Sequence, residues 1–289
     1  MGAAARVTSA RSPAPSLDLT DAEIARYLRV LGVERTRPSP DALGRLVRTQ
    51  LCRVPFENVS KLYYRRQGCR HELPGLELFL DGIERYRFGG TCYLNNFHFF
   101  RLLRALGYEA ALCGADMASG PDVHMAIRIR LEGRERLVDV GYAAPFYEPI
   151  PLDLPVPFTI RFGRDTYVVH PQDGEGRTRV DLRRDGERAH GYLLKPAPRT
   201  IAHFGRVIRA SYRDDATFMR SLLLVRFLDS QSVTILNRLR IDSGPDGFSL
   251  HELPTTDRVV EEIVSAFDME EEIVRAAVAG LPELESPYG

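Results

Sequence analysis

The sequence lacks an excess of either charge, a long apolar run and closely paired cysteines. Its 39 basic and 39 acidic residues cancel to a formal net charge of zero, and no basic stripe carries interleaved aromatics, so no nucleic acid partner is expected. No apolar run approaches the roughly 20 residues that span a bilayer, so no membrane partner is expected either. The four cysteines, at positions 52, 69, 92 and 113, argue by their spacing against a disulfide framework and a structural zinc site.

Lysine is also scarce, since Lys61 and Lys195 are the only two and all other basic residues are arginine. Arginine suits contacts with phosphate or carboxylate groups of a substrate, although genome base composition explains the bias equally well. Residues 1–16 are rich in Ala, Ser, Pro and Arg and lack the apolar core of a signal peptide, which predicts a mobile tail on a cytoplasmic protein. The segment Cys69-Arg70-His71-Glu72 holds metal-ligand types, but it stands alone and we expect no metal there.

One cysteine has the surroundings of a nucleophile. Residues 88–96 read Phe-Gly-Gly-Thr-Cys-Tyr-Leu-Asn-Asn, so Cys92 follows a glycine turn and begins an apolar helical stretch that runs to Leu106. The glycines allow a sharp turn, and the positive end of the following helix stabilises a thiolate. We therefore expect Cys92 to be the nucleophile of an enzyme.

A histidine and an aspartate that could serve this cysteine lie on one predicted hairpin. Residues 124–131 alternate apolar and polar side chains, a turn is centred near Gly133, and residues 137–142 return as a second strand. His124 and Asp139 both fall off the apolar alternation, so this turn places them on one face of the sheet. A slip of one residue in the register would separate them.

Local patterns divide the chain into three parts. Thr20 and Glu23 form a capping box before a helix that Gly32 ends, and further helices start at Pro40 and span about residues 76–86. From about residue 110 to 194, short strands separated by turns predict a small barrel or a curled antiparallel sheet. The last part mixes strands near residues 232–241 with helices at about 257–267 and 269–279, whose apolar faces need a sheet to cover.

Taken together, these motifs resemble the arylamine N-acetyltransferases, whose signature is Arg-Gly-Gly-x-Cys-x-Glu-x-Asn. The chain supplies Gly89-Gly90-Thr91-Cys92 and Asn96, then His124, then Leu-Val-Asp-Val-Gly at residues 137–141. Residues 54–58 resemble the family's Pro-Phe-Glu-Asn motif. The elements agree in order and approximate spacing from about residue 17 to the C-terminus.

Three positions depart from that pattern. The family arginine before the glycine pair is Phe88 and the family glutamate two residues after the cysteine is Leu94. Since that arginine anchors the glutamate of Pro-Phe-Glu-Asn in the family, we expect Glu57 to find another partner, Arg87 or Arg53, or to lie nearer water. Ala143 stands where the family usually has glycine beside the acyl donor, and its methyl group is expected to narrow that passage.

The resemblance implies an α+β, multi-domain fold with a cysteine-protease-like arrangement of helical bundle, central antiparallel β-barrel and α/β lid. The expected parts are a mobile tail at 1–16, a helical domain with the nucleophile at 17–108, a β-barrel domain with His and Asp at 109–200, and a lid at 201–289. It also implies a catalytic triad of Cys92, His124 and Asp139.

The implied reaction moves an acetyl or other acyl group from a CoA thioester to an arylamine or related amine through a cysteinyl acyl-enzyme in a ping-pong sequence. No cofactor is expected to be permanently bound, and acetyl-CoA or another acyl thioester would be the co-substrate. The donor would contact Thr91, Gly141, Tyr142 and Ala143. The acceptor pocket would be lined by aromatic residues, for which the candidates are Phe56, Tyr93, Phe97, Tyr142 and Phe146.

Three alternatives remain open at this point. The three departures keep a biosynthetic amide synthase in view, which would use a larger acyl donor and have an acyl carrier protein as a partner. A thiol hydrolase would share the triad but use water in place of the amine. A non-catalytic binding protein could occupy the same scaffold.

Overall fold

The computed structural model describes residues 17–68 and 72–284 and forms a mixed helix and sheet fold. The predicted tail at 1–16 and the residues Cys69 to His71 lie outside the described residues. The helices are α1 (Asp21–Leu31), α2 (Pro40–Arg53), α3 (Val59–Arg66), α4 (Leu76–Tyr86), α5 (Cys92–Ala105), α6 (Gly205–Ala210), α7 (Thr217–Arg220), α8 (Thr256–Phe267) and α9 (Glu271–Val278), with a 3-10 turn at Ile201–Phe204.

The strands form two antiparallel sheets. They are β1 (Phe56–Glu57), β2 (Glu109–Met117), β3 (Gly120–Leu131), β4 (Arg134–Val138), β5 (Ile150–Pro151), β6 (Phe158–Phe162), β7 (Asp165–Val169), β8 (Thr178–Arg184), β9 (Glu187–Arg199), β10 (Leu223–Phe227), β11 (Ser232–Leu236), β12 (Leu239–Gly244) and β13 (Gly247–Glu252).

The first helices pack around α5, the helix that begins at Cys92. The predicted capping box is present at the start of α1. The Thr20 side chain accepts from the Glu23 amide, and the Glu23 carboxylate accepts from the Thr20 amide. Every residue of α5 from Tyr93 to Leu103 is buried. A helix that is buried on all sides is a core element, so the segment after Cys92 is fixed by packing on each face.

The larger sheet has eight strands in the order β5-β4-β3-β2-β9-β8-β7-β6 and forms a nearly closed barrel. This confirms the predicted antiparallel barrel. The β3–β4 hairpin turns at Glu132 and Gly133, which both have positive φ (52° and 75°), as a two-residue turn of this type requires. Its register pairs Leu131 with Arg134.

One boundary in this hairpin differs from the prediction. The second strand was expected to run to Tyr142, but β4 ends at Val138. The side chain of Asp139 accepts a hydrogen bond from the Gly141 amide at 3.1 Å, and Ala143 has a φ of 59°. Such a local aspartate-to-backbone bond turns the chain out of the ladder. The turn carries residues 139–143 toward α5.

The smaller sheet has the order β1-β10-β11-β12-β13 and is covered by α8 and α9. Val260 and Ile263 of α8 and Val274 of α9 pack in one core with Leu224 and Ile235 of the sheet. The predicted apolar helix faces therefore do meet a sheet. Strand β1 joins this sheet from the first third of the chain, since Phe56 pairs with Val225. None of the described helices combines the length and apolar character that crossing a bilayer requires.

Candidate active site

Cys92 is the first residue of α5, and its approach is fixed by the segment before β1. Gly90 donates its amide to the Pro55 carbonyl at 3.3 Å, and the Glu57 amide donates to the Gly90 carbonyl at 3.2 Å. A Cβ at Gly89 would lie 1.9 Å from the Pro55 carbonyl oxygen, so only glycine fits this approach. The turn places a half-buried Cys92 side chain at the N-terminus of a buried helix.

His124 and Asp139 meet on one face of the barrel, as the hairpin pattern predicted. The Nε2 atom of His124 lies 2.8 Å from Oδ2 of Asp139, and the residues are 2% and 1% exposed. Burial alone would lower the pKa of His124, but the Asp139 carboxylate and the neighbouring Cys92 side chain together raise it to about 10. The imidazolium form is therefore favoured beside Cys92.

The aspartate is held by Asn96, which lies one helical turn after Cys92 on α5. The Asn96 amide nitrogen donates to Oδ1 of Asp139 at 2.9 Å and to the Met125 carbonyl at 2.6 Å. Its carbonyl oxygen accepts from the Val140 amide at 3.0 Å. Because residues at i and i+4 share a helix face, the helix that carries Cys92 is bonded directly to β3, which carries His124, and to the turn after β4, which carries Asp139.

Tyr192 on β9 completes the surroundings of this carboxylate. Its hydroxyl donates to Oδ2 of Asp139 at 2.9 Å, and its ring lies 4.9 Å from the His124 ring. Burial would raise the pKa of Asp139, but His124, Asn96 and the Gly141 amide hold it below its ordinary value. Sequence reasoning missed Tyr192, since nothing near it in the chain links it to Asp139.

Glu57 is bonded differently from the expectation. It is fully buried, with Oε2 accepting from the Ser60 amide at 2.8 Å and Oε1 from the Gly89 amide at 3.0 Å. Arg53 and Arg87 are exposed, and no ion pair joins either to Glu57 within the described ranges. The expectation of an arginine partner or of water was therefore wrong, because amide and hydroxyl donors of α3 and the glycine turn satisfy this carboxylate. Burial raises its pKa.

The two apolar departures are both absorbed by packing. Phe88 is 1% exposed and its ring contacts Tyr63, Tyr64 and Tyr86 at centroid distances of 5.3–5.8 Å. Leu94 is buried in the helical core, and it lies so close to Gly90 that a Cβ there would be 2.7 Å from its Cδ2. Two charged positions of the family pattern are thus buried apolar residues here, Phe88 in the core beneath the smaller sheet and Leu94 in the helical core.

The predicted donor contacts lie directly before Cys92 and in the turn after Asp139. Thr91 is buried directly before the cysteine. A Cβ on Gly141 would lie 2.8 Å from the Cα and carbonyl oxygen of Cys92, so the turn after Asp139 packs against the nucleophile backbone. Tyr142 lies 5.5 Å from the His124 ring. Ala143 adopts the left-handed conformation that glycine favours and packs on the cluster of Leu51, Phe56, Val225 and Phe227.

The aromatic pocket candidates fall into separate places. Phe97 is 1% exposed in the helical core, and Phe146 is 1% exposed in the barrel core. Phe56 packs edge-on against Phe218 at 5.7 Å. Tyr93 contacts Phe204 at 5.8 Å and donates its hydroxyl to the Asp122 carbonyl at 2.5 Å. The structure does not bring these rings into one cluster.

A search of residues 17–68 and 72–284 for metal-ligand clusters finds no group of three or more His, Cys, Asp or Glu side chains. Cys69 and His71 lie outside those residues. Cys52, Cys92 and Cys113 are free thiols.

The chain is similar in sequence to known proteins. A family model described as N-acetyltransferase matches residues 40–273, and human arylamine N-acetyltransferase 1 is 28% identical over 141 residues, which are 46% of this chain and 47% of that protein. The chain belongs to the arylamine N-acetyltransferase family. Proansamycin X synthase of Amycolatopsis mediterranei is 30% identical over 137 residues, which cover 44% of this chain and 52% of that protein. This member of the family thus matches about half the length of these curated relatives.

Solved structures of the family share the fold across nearly the whole chain. Arylamine N-acetyltransferase from Mycobacterium smegmatis superimposes with a TM-score of 0.75 at 21% identity, covering 91% of this chain and 99% of that one. The Mycobacterium marinum enzyme, described in complex with CoA, gives a TM-score of 0.74 at 19% identity and covers 88% and 98% of the two chains. These likenesses establish the fold.

Proposed function

We propose that the protein transfers an acyl group from a CoA thioester to an aromatic or related amine through a covalent intermediate on Cys92. The observation that carries the proposal is the buried His124–Asp139 pair of 2.8 Å, with Cys92 beside it at the start of a helix. Membership of the N-acetyltransferase family supports acyl transfer as the reaction class.

The first half-reaction charges the enzyme. The Cys92 thiolate attacks the thioester carbonyl, a new carbon–sulfur bond forms, and the bond to the CoA sulfur breaks as His124 gives a proton to the departing thiolate. The raised pKa of His124, which persists despite its burial because of Asp139 and Cys92, keeps that proton available at neutral pH. Asp139 orients the ring through Nε2, so Nδ1 is the nitrogen left for Cys92.

The second half-reaction releases the product. The amine attacks the acyl-enzyme carbonyl, a carbon–nitrogen bond forms, and its proton passes to His124 as Cys92 leaves as a thiolate. Backbone amides at the Thr91-Cys92 turn are the proposed donors to the tetrahedral oxyanion, and one such donor is worth about 3 kcal/mol in enzymes of this type. The donor would run past Thr91, Gly141, Tyr142 and Ala143, and Phe56, Tyr93, Phe97 and Phe146 remain proposed acceptor residues.

In this proposal each of the three parts of the chain has its own role. The helical part at 17–108 provides the nucleophile, the barrel at 109–200 provides His124 and Asp139, and the part at 201–289 covers them, in a cysteine-protease-like arrangement. Acetyl-CoA is the first donor to test, because the Mycobacterium marinum relative is described with CoA.

The deciding experiment is intact-protein mass spectrometry after mixing with acetyl-CoA, with peptide mapping of any adduct. We expect the mass of one acetyl group on Cys92, and we expect an arylamine to remove it. Cys92→Ala should abolish the adduct while the circular dichroism spectrum stays that of the parent. An acetylated Cys92→Ala variant with full turnover would refute the assignment.

A second candidate is an amide synthase with a larger or carrier-bound acyl donor. Three observations favour it. Phe88 and Leu94 are buried apolar residues at two charged positions of the family pattern, and Ala143 carries a methyl group where the family usually has glycine. Proansamycin X synthase is 30% identical to the chain over the matched residues. An adduct on Cys92 from long-chain or carrier-bound thioesters, and none from acetyl-CoA, would select it. Acyl release into water at the same rate with and without amine would instead indicate a thiol hydrolase.

A further inference from the structure

Lys61, one of the two lysines of the chain, is buried close to the nucleophile turn. It lies on α3 and is 7% exposed. Its Nζ donates to Oγ of Ser211 at 2.6 Å and lies 4.3 Å from the centroid of the Tyr212 ring. No carboxylate of the described residues forms an ion pair with it. A buried ammonium held by a hydroxyl and an aromatic face is unusual, because lysine is almost never buried unless paired.

The position of this side chain relates it to Cys92. Lys61 lines a small cavity together with Gly90, Thr91 and Tyr93, which belong to the nucleophile turn and the first turn of α5. The cavity has a volume of about 20 Å³, which is room for a single water molecule. Of the described side chains that line it, Lys61 carries the only positive charge. The described residues that line this cavity include none from the barrel, so the ammonium reaches the nucleophile turn through the helical part of the chain.

Lys61 and Cys92 interact electrostatically across this turn. Burial lowers the pKa of Lys61 to about 8, and negative charge on Cys92 acts against that shift. Such coupling is reciprocal. The free energy by which a thiolate at Cys92 stabilises protonated Lys61 equals the free energy by which protonated Lys61 stabilises the thiolate.

We propose that Lys61 supplies a buried positive charge that stabilises the anionic forms of the reaction centre at Cys92, the thiolate and the tetrahedral oxyanion. The role rests on the proposed acyl transfer by Cys92. Lys61 acts on the thiolate through space, as a positioning residue that sets the local potential. The signature arginine position holds uncharged Phe88, so this charge reaches the turn from α3 instead.

The pKa of Lys61, lowered by burial to about 8, differs from the pKa values of the shifted groups described around it. Burial raises the pKa of Tyr64 on α3 and of Tyr93 on α5 well above the ordinary value for tyrosine, and it also raises the pKa of Glu57. On the barrel side, burial acts to lower the pKa of His124, but Asp139 and Cys92 raise it to about 10, so the ring stays protonated at pH 8. The positive charge behind Cys92 should therefore be present below pH 8 and lost above it.

The test compares Lys61→Met, which removes the charge, with Lys61→Arg, which keeps it. Two rates are measured from pH 6 to 10: acylation by a thioester, and alkylation of Cys92 by iodoacetamide followed by mass spectrometry. We expect Lys61→Met to slow alkylation at pH 7 by about three- to tenfold, because a buried positive charge that favours the thiolate is removed. We also expect the acylation rate of the wild type to decrease above pH 8. In Lys61→Met this decrease should be absent, and in Lys61→Arg it should occur at higher pH.

Each outcome has a defined meaning. Unchanged alkylation and an unchanged fall above pH 8 in Lys61→Met would overturn the inference. Because alkylation needs no acyl donor, a response of alkylation without any acylation by thioesters would uphold the inference and defeat the proposed function. If Lys61→Met does not fold, Ser211→Ala is tested instead. Loss of the hydroxyl that accepts from Nζ should shift the decrease in acylation rate to lower pH. If the acylation rate of Ser211→Ala decreases at the same pH as that of the wild type, the inference is also overturned.

Discussion

The hydroxyl of Tyr192 offers a sharp test of how the buried carboxylate is held. Tyr192→Phe removes one donor from Oδ2 of Asp139, while the phenyl ring keeps the contacts of a residue that is 1% exposed. A hydrogen bond to a charged group is worth about 1.5–3 kcal/mol. We expect a loss of that size in the free energy of unfolding.

The loss should depend on pH in a defined direction. Although burial acts to raise it, the pKa of Asp139 is lowered in the folded protein by His124 and Asn96. A carboxylate of this kind contributes stability above its unfolded pKa of about 3.9, and that contribution is lost as the pH falls through the folded value. The difference between wild type and Tyr192→Phe should therefore be full at pH 7 and shrink below about pH 4.

The assay is urea unfolding followed by circular dichroism at several pH values, with thermal melts alongside. A loss of 1.5–3 kcal/mol corresponds to a melting temperature lower by about 3–10 °C for a chain of this size. Tyr167→Phe is the matched control, because Tyr167 lies in the same barrel core and packs on Phe146 rather than on Asp139. Equal stability of Tyr192→Phe and the control at pH 7, or a difference that grows in acid, would refute the reasoning.

Three further substitutions test the bonds between α5 and the turn after β4, and the backbone of that turn. Asn96→Ala should cost about 3 kcal/mol or more in urea unfolding, since it strands the buried Val140 amide and removes a donor from Asp139. Gly141→Ala should slow adduct formation at Cys92 at least about tenfold, because the new Cβ would lie 2.8 Å from its backbone. Ala143→Gly should raise the stability by up to about 1 kcal/mol by relieving the left-handed strain at its φ of 59°.

These three predictions can each be contradicted by the same measurements. A stable Asn96→Ala variant would mean that the bonds across α5 are dispensable. A Gly141→Ala variant with parental acylation would mean that the turn after Asp139 can move freely. A less stable Ala143→Gly variant would mean that the methyl contact with the Phe56 cluster outweighs the backbone strain.

Much of the fold was predictable because its signals are local. The capping pair of Thr20 and Glu23, the glycine after α1 and the Glu132-Gly133 turn each act within a few residues, and the structure has a helix or hairpin at each. The hairpin in turn fixed the shared face of His124 and Asp139. Its second strand was overextended because the bend at Asp139 depends on a side-chain bond to Gly141, which alternating hydrophobicity does not report.

The rest of the site depends on contacts between distant segments. Tyr192 reaches Asp139 across 53 residues, and the sequence of its strand carries no motif that points to a carboxylate partner. The partner of Glu57 was predicted wrongly because charge complementarity suggested arginine, whereas the fold offers the amides of Ser60 and Gly89. Backbone donors have no sequence signature, so a carboxylate that uses them cannot be matched to a partner from residue types alone.

Strand β1 links the nucleophile turn to the far end of the chain. Phe56 and Glu57 pair with β10 on one side and bond to Gly90 on the other, so the backbone that shapes the approach to Cys92 is also an edge of the smaller sheet. Fraying of that sheet would loosen the turn before it disturbed the helical core. The protein should therefore resist being split into independently working halves: a fragment that ends before residue 201 would keep all three proposed triad residues and β1, yet lack β10, the strand against which β1 pairs.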